Sequence, residues 1–322
     1  MKPMEADLER FVCDHLVAHG GYREAKHGMA QTPPRDFDPV AGLDTAELFA
    51  FIGATQPELW DRLVSLHGGD PNHAQSKFVD RLAKELDSRG TIEVLRRGVV
   101  DHGVTIQLAY FRPAHGHNPV LAERYAANRL TVTRQLPFDP ESTKTIDLAL
   151  FVNGLPVATV ELKNPLTGQS VEDAKAQYRK DRDPLNRTLA RRAVVHFAVD
   201  TETAAMTTRL HGAATRFLPF NLGDAGGAGN PPNPDGHRTA YLWERVWRRD
   251  AWLDILGRFV HVEQPAKGSK SPGLTIFPRF HQWDAVLRLE AAAKAEGAGQ
   301  KYLVQHSAGS GKSNSIGWLS HR

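Results

Sequence analysis

The stretch 145-TIDLALFVNGLPVATVELKNPLTG-168 decides how this chain reads. Two apolar runs, 145-TIDLALFV-152 and 156-PVATVELK-163, flank the dipeptide Asn153-Gly154. Asn-Gly between strand-type runs signals a hairpin, because both residues tolerate a positive φ. Each run carries charge where a buried strand should carry none: Asp147 on the first, Glu161 and Lys163 on the second. Side chains alternate faces along a strand, so Glu161 and Lys163 share one face. Asp147 joins them, opposite Glu161, if the loop has an odd number of residues centred on Gly154; a two-residue turn puts it on the other face. Charges are costly inside a protein unless paired or bound to something. These three either form a strand-end salt bridge or carry chemistry.

Their chemistry, if they converge, is that of phosphodiester hydrolysis. Asp147 and Glu161 would hold a hard divalent cation such as Mg²⁺, with waters and a phosphate oxygen completing its shell. The cation would stabilise charge at phosphorus and help generate hydroxide. Lys163 would orient the attacking water or stabilise the developing negative charge. On this reading Glu161 and Lys163 need no further salt-bridge partner.

Composition sets the outer bounds. The chain has 322 residues, 41% hydrophobic and 24% charged, in the range of an ordinary globular protein of roughly two domains. The formal net charge of +3 does not by itself point to nucleic acid. A single cysteine, Cys13, excludes an intramolecular disulfide and a cysteine-rich zinc site, and suits a reducing compartment. The opening MKPMEADLERF carries acids where a signal peptide needs an apolar core, and no apolar run approaches the ~18 residues of a membrane span. The expectation is a cytoplasmic protein without a membrane partner.

Helical spacing appears over 5–19, 45–66, 75–89, 170–182 and 281–295. Strand-type runs cover 92–98, 104–111, 130–136, 145–152, 156–163, 193–200 and 301–306. Prolines make 28–40 a loop, and the Gly/Pro/Asn-rich 222–238 cannot be a regular element. The segment 263-EQPAKGSKSPG-273 reads as a linker. The fold class is therefore α/β: a mixed-sheet domain over 1–262 with its core at about 90–210, a linker at 263–274, and a second unit over 275–322.

Two further stretches carry candidate sites. In 173-DAKAQYRKDRDPLNRTLARR-192, Gln177 and Tyr178 lie on the helix, and Arg179, Lys180, Arg182, Arg187, Arg191 and Arg192 form the densest basic run in the chain. It reads either as a solvated face or as a phosphate-contacting edge beside the carboxylates. In 306-HSAGSGKSNS-315, Gly309, Ser310, Gly311, Lys312 and Ser313 lie between a predicted strand and a predicted helix. That is the context of a phosphate-binding loop for ATP: backbone N–H groups cradle phosphates, Lys312 reaches them and Ser313 ligates Mg²⁺. Upstream, Gln282 has the donor and acceptor needed to read an adenine edge.

Asp147 with Glu161-x-Lys163 fourteen positions on resembles the PD-(D/E)xK nuclease superfamily, with Ile146 at the proline position. Several nucleases of that group have Gln-x-x-x-Tyr on the following helix; with Tyr178 as the tyrosine, the glutamine place falls on Ala174, and Gln177 is its substitute. The Gly-rich turn is similar to that of superfamily 2 helicases. Nuclease followed by motor, together with 127-ANRLTVTRQLPF-138, 146-IDLALFVNGLPVATVELKNPLTGQ-169, 194-VVHFAVDTETAAMTTRL-210, 241-YLWERVWRRDAWLDILGRFVHVE-263 and 277-FPRFHQWDAV-286, resembles the R subunit of type I restriction–modification enzymes.

The resemblance implies a restriction-endonuclease-like domain followed by the opening of a RecA-like motor. It implies ATP-driven translocation and cleavage of double-stranded DNA, with methyltransferase (M) and specificity (S) subunits as partners. It makes Asp147, Glu161 and Lys163 the nuclease residues, and Lys312 and Ser313 the nucleotide contacts. Glu9, on the first helix, is an extra acidic candidate. A motor reduced to one strand and two helices is expected to hydrolyse ATP weakly or not at all, the chain reading as the N-terminal part of a longer protein. A repair-type nuclease–helicase and a non-catalytic assembly or DNA-binding fragment are the other readings.

Overall fold

Asn153 and Gly154 take φ values of +51° and +83°, the pair of left-handed residues that a two-residue hairpin turn requires. Gly154 is fixed a second way: a Cβ there would lie 2.2 Å from Asp44 O and 2.8 Å from Leu48 N. The turn is buried and tied into the fold. Asn153 Nδ2 donates to Leu108 O and Asn128 Oδ1, Arg129 N donates to Asn153 Oδ1, and Asp44 N donates to Gly154 O. The structure is a computed structural model and describes residues 3–25, 37–113, 117–263, 273–297, 299–307 and 309–322.

The hairpin forms the centre of a seven-stranded mixed sheet. In chain order its strands are β1 (Arg23–Glu24), β2 (Leu130–Leu136), β3 (Ile146–Val152), β4 (Leu155–Leu162), β5 (Val195–Val199), β6 (Ala204–Thr207) and β7 (Leu218–Pro219), adjacent in that order. The β1–β2 and β4–β5 pairs are parallel and the others antiparallel. Every residue of β4 is buried, as expected for a central strand covered on both faces.

The turn settles the register in an unexpected way. The pairs next to the turn are Val152–Leu155 and Phe151–Pro156, as a two-residue turn dictates. A β-bulge then intervenes: Ala158 pairs with Leu150, which leaves Val157 as the extra residue. From there the pairs are Ala149–Thr159 and Leu148–Val160. The odd count that sets Asp147 against Glu161 thus comes from the bulge, not from an odd-numbered loop.

The helices are α1 (Pro3–His19), α2 (Thr45–Thr55), α3 (Pro57–Leu66), α4 (Pro71–Arg89), α5 (Thr91–Arg97), α6 (Pro119–Ala126), α7 (Val171–Lys180), α8 (Arg249–Asp254), α9 (Phe280–Glu296) and α10 (Lys312–Ser320). The single helix expected over 45–66 is split at Pro57, which ends α2 and opens α3. The strand expected over 92–98 is α5 instead. Thr91, Ile92, Val94 and Leu95 are buried at helical spacing between Gly90 and Gly98, a pattern that a short apolar run shares with a strand. Of 104–111 only Val104–Ile106 is strand, paired with Val99–Asp101. The loop expected over 28–40 lies outside the described residues up to position 36.

Helix α7 crosses between β4 and β5, the connection that a parallel pair requires. It opens on a capping box in which Ser170 Oγ and the Asp173 carboxylate satisfy each other's first-turn amides. Beyond β7 the chain winds through wide turns with i→i−5 bonds: Trp247 N donates to Leu242 O, and Val260 N to Ile255 O. These turns bury Trp243, Trp247 and Phe259, and the helix between them buries Trp252.

The expected linker at 263–274 is flanked by paired strands. His261–Glu263 and Leu274–Ile276 form an antiparallel ladder, and 264–272 lie outside the described residues. Past it, Phe277, Phe280, Trp283 and Val286 join the same hydrophobic cluster as Phe197, Phe220 and Trp252. The start of the expected second unit is thus packed into the core of the first. Residues 301–306, expected as a strand, form none. Leu303 is 94% exposed, and among the described residues no neighbouring strand takes their hydrogen bonds. Among the described residues no helix is long and apolar enough to cross a membrane.

Candidate active site

Continuing the Leu148–Val160 register by one residue sets Asp147 opposite Glu161, at the far end of the hairpin from its turn. Just beyond the last opposed pair, Leu162 N donates to Asp147 Oδ2 at 2.8 Å, so a side chain completes the ladder there. The next residue, Lys163, is buried at 8% exposure, and its N–H donates to Val199 O on β5. Its charge reaches Glu161, as does that of Asp147. The three residues singled out in the sequence therefore gather at one strand end.

Glu9 joins them. It is buried on α1, and Gln135 on β2 bridges it to the hairpin: Gln135 Nε2 donates to Glu9 Oε1 at 2.7 Å and to Asp147 Oδ1 at 3.3 Å. Gln135 itself is held by Thr145, whose Oγ1 donates to Gln135 Oε1 at 2.5 Å. Its φ of +51° marks a local break in β2 that aims the amide between the two acids. Sequence reasoning misses Gln135. Only the β2–β3 pairing, Arg134–Leu148 and Leu136–Ile146, shows that it neighbours Asp147.

The largest correction concerns Arg182. Far from facing a phosphate backbone, it is buried, with Nε and Nη2 each 2.7 Å from Glu161 Oε1 and Nη2 donating to Thr145 O at 2.7 Å. Its guanidinium also lies over the Phe138 ring, 5.4 Å from the centroid. Glu161 therefore does have an ion-pair partner. Arg192, from the same basic run, is also inside, donating to Ala41 O and pairing with Asp87 at 2.7 Å. Arg179 donates from Nε to Thr215 O and lies over Phe217. Three arginines of the supposed phosphate edge thus serve internal contacts.

Even so, Glu161 is not saturated. Its Oε2 is buried without a hydrogen-bond partner. Burial first, and then the charge of Asp147, push its carboxyl well above the usual range, against the lowering pull of Arg182 and Lys163. Such a group is poised for an additional cation. The donor set of carboxylate oxygens suits a hard ion such as Mg²⁺, which would take the bare oxygen and remove the penalty for ionisation.

Behind the acids, Thr159 Oγ1 lies 2.8 Å from Tyr178 Oη and 2.7 Å from His196 Nδ1. Tyr178 is fully buried, and burial together with the charge of Glu161 keeps its phenol protonated. Burial also pushes His196 down to about 4, so it is neutral. Tyr178 and Ala174 share the buried face of α7, while Gln177 sits half-buried beside it. Gln177 therefore does not occupy the glutamine place one turn before the tyrosine.

The Gly-rich segment near the C-terminus makes a turn and a helix. Gly309 and Gly311 have φ of +72° and +78°, and Gly311 caps α10. Lys312 Nζ folds back to donate to Ser307 O at 3.0 Å, and Ser313 is exposed in the first turn. Gln282 donates from Nε2 to Ser310 O and Gly311 O at 3.1 and 3.0 Å, and its Oε1 accepts from Arg279 N. The atoms expected to read adenine are thus engaged with the chain, and they hold the loop against α9.

A seven-stranded mixed sheet with buried acids gathered at a hairpin end is consistent with an α/β nuclease-like domain. The family described as "Type I restriction enzyme R protein N terminus" (HSDR_N) matches residues 4–214, well over half of the chain. The chain belongs to that family. All the residues of the acidic cluster fall within the matched segment. No curated protein matches the chain.

Proposed function

We propose that this chain is the nuclease-bearing part of a type I restriction R subunit, and that it cleaves double-stranded DNA in a Mg²⁺-dependent reaction. The observation that carries the reading is the acidic pair of half-buried Asp147 and buried Glu161, with a bare Glu161 Oε2 and Lys163 beside it, in a member of this family. Asp147 and Glu161 hold the cation. When bound, Mg²⁺ stabilises charge on the scissile phosphate and acidifies a bound water.

The other side chains act on the acids themselves. Arg182 fixes Glu161 by its Oε1 and leaves Oε2 for the cation. Gln135 and the Leu162 amide take one oxygen each of Asp147 and so lock its rotamer. Lys163 supplies positive charge where negative charge develops at phosphorus, and orients the attacking water. Glu9, tied to Asp147 through Gln135, adds acidity to the site.

ATP phosphates are proposed to bind over Gly309–Ser313 at the N-terminus of α10, with Lys312 swinging from Ser307 O to reach them. Double-stranded DNA and the M and S subunits are the partners that this reading requires. The test is plasmid cleavage with Mg²⁺ and ATP by the assembled restriction complex. Asp147→Ala and Lys163→Ala should each abolish cutting, and equal cutting by all three forms would rule out the site.

A further inference from the structure

Outside the acidic cluster, three side chains with metal-ligating atoms meet at a different place in the fold: His67, Asp101 and His102. His67 caps the C-terminus of α3. Asp101 ends the strand Val99–Asp101, and His102-Gly103 turn it back into Val104–Ile106 with φ of +45° and +76°. His67 Nε2 lies 2.9 Å from Asp101 Oδ2, and His102 Nε2 lies 3.9 Å from Asp101 Oδ1. The two imidazoles meet edge to face with centroids 4.7 Å apart, and one ligand atom from each of the three residues lies within 4.8 Å of the others.

A hydrogen bond between His67 and Asp101 accounts for two of these residues. It does not account for His102, which the turn holds in the left-handed region with its ring against His67. Around one ion with bonds of ~2.0–2.2 Å, ligand atoms sit roughly 3–3.5 Å apart. The two carboxylate distances, 2.9 and 3.9 Å, are within about 1 Å of that arrangement; the widest spacing, up to 4.8 Å, requires the His102 side chain, 52% exposed, to turn inward. Two imidazoles and one carboxylate are a borderline donor set, which selects transition metals over Mg²⁺ or Ca²⁺.

We propose that His67, Asp101 and His102 bind one divalent transition-metal ion of the zinc class, with water on the open side. The ion clamps the end of α3 to the Val99–Ile106 hairpin across 34 residues of sequence. Binding replaces the His67–Asp101 hydrogen bond by two metal bonds, and His67 then carries its proton on Nδ1. This site is independent of the nuclease reading and differs from it in metal preference.

The experiment uses the full chain carrying Asp147→Ala, which removes one carboxylate of the acidic cluster, with Mg²⁺ in excess to compete for the carboxylates left there. Zn²⁺ is titrated calorimetrically, and Co²⁺ by its visible ligand-field absorption. The expected result is one equivalent bound, with a metal-dependent rise in thermal midpoint. His102→Asn and His67→Gln should each weaken Zn²⁺ binding at least about tenfold, since even losing a group behind a ligand costs about 10–100-fold. Asparagine tolerates the left-handed turn, so His102→Asn should keep its metal-free thermal midpoint and is decisive if His67→Gln fails to fold. Absence of a saturable Co²⁺ spectrum, or undiminished Zn²⁺ affinity in His102→Asn, overturns the proposal.

Discussion

Replacing Arg182 with methionine isolates the electrostatics of the acidic cluster. Methionine keeps most of the stem volume against Phe138 and removes the charge. The wild-type pair is fully enclosed, with side-chain exposures of 3% for Arg182 and 0% for Glu161, and both contacts fall on one carboxylate oxygen. Removing one partner of a buried pair typically costs about 3–5 kcal/mol, because the other charge is left uncompensated. At roughly 2–4 °C per kcal/mol for a domain of this size, the thermal midpoint should fall by about 6–20 °C at pH 8 without divalent metal. The cost should depend on pH. Glu161 has a folded pKa already raised above its ordinary 4.5. Proton uptake therefore favours the fold fully below that value, and the benefit is lost as pH rises through the folded pKa. Losing Arg182 raises that pKa further, so the deficit of the variant should shrink as the pH falls, read here at pH 8 and pH 5. Thermal denaturation followed by circular dichroism at both pH values reads this directly. A loss below about 1 kcal/mol at pH 8, or a deficit that grows as the pH falls, would refute the assignment of Arg182 as the charge partner of Glu161.

Other perturbations probe the scaffold, the acidic cluster and the Gly-rich loop. Gly154→Ala must place a Cβ 2.2 Å from Asp44 O at a φ of +83°. It should cost more than the ~1 kcal/mol of an ordinary glycine substitution, as measured by urea denaturation. Gln135→Leu removes the donor shared by Glu9 and Asp147; it should slow cleavage by the assembled complex at limiting Mg²⁺ more than at saturating Mg²⁺. Lys312→Ala should eliminate binding of a fluorescent ATP analogue if the Gly309–Ser313 loop cradles phosphates, and retained binding would remove that assignment.

Much of the fold is visible in the sequence because it rests on short-range signals. The Asn153-Gly154 turn, the apolar runs of β3 and β4 and the capping of α7 at Ser170 are each set by a few adjacent residues. What the sequence hides depends on partners distant along the chain. The bulge at Val157 is one case, since nothing local marks Val157 as the unpaired residue. Its effect is large: it moves Asp147 from the wrong face to the position opposite Glu161. Arg182 is a second case. In a basic run it looks like a phosphate contact, and only the crossover of α7 back over β4 turns it onto Glu161. Helix α5 is a third, a seven-residue stretch too short for its helical spacing to stand out from a buried strand. The 301–306 run fails for the converse reason: apolar, strand-type residues form a strand only beside another strand.

The central claim is that Glu161, with Asp147, holds the cation that drives strand cleavage. The most direct test is the single-turnover rate of plasmid cleavage by restriction complexes carrying wild-type chain or Glu161→Gln, at saturating Mg²⁺. Glutamine keeps an acceptor for Arg182 but removes the negative charge at Oε2. The account predicts a loss of at least about a hundredfold, the scale of removing one transition-state charge stabiliser, with the complex still assembled. A Glu161→Gln rate equal to wild type would contradict it.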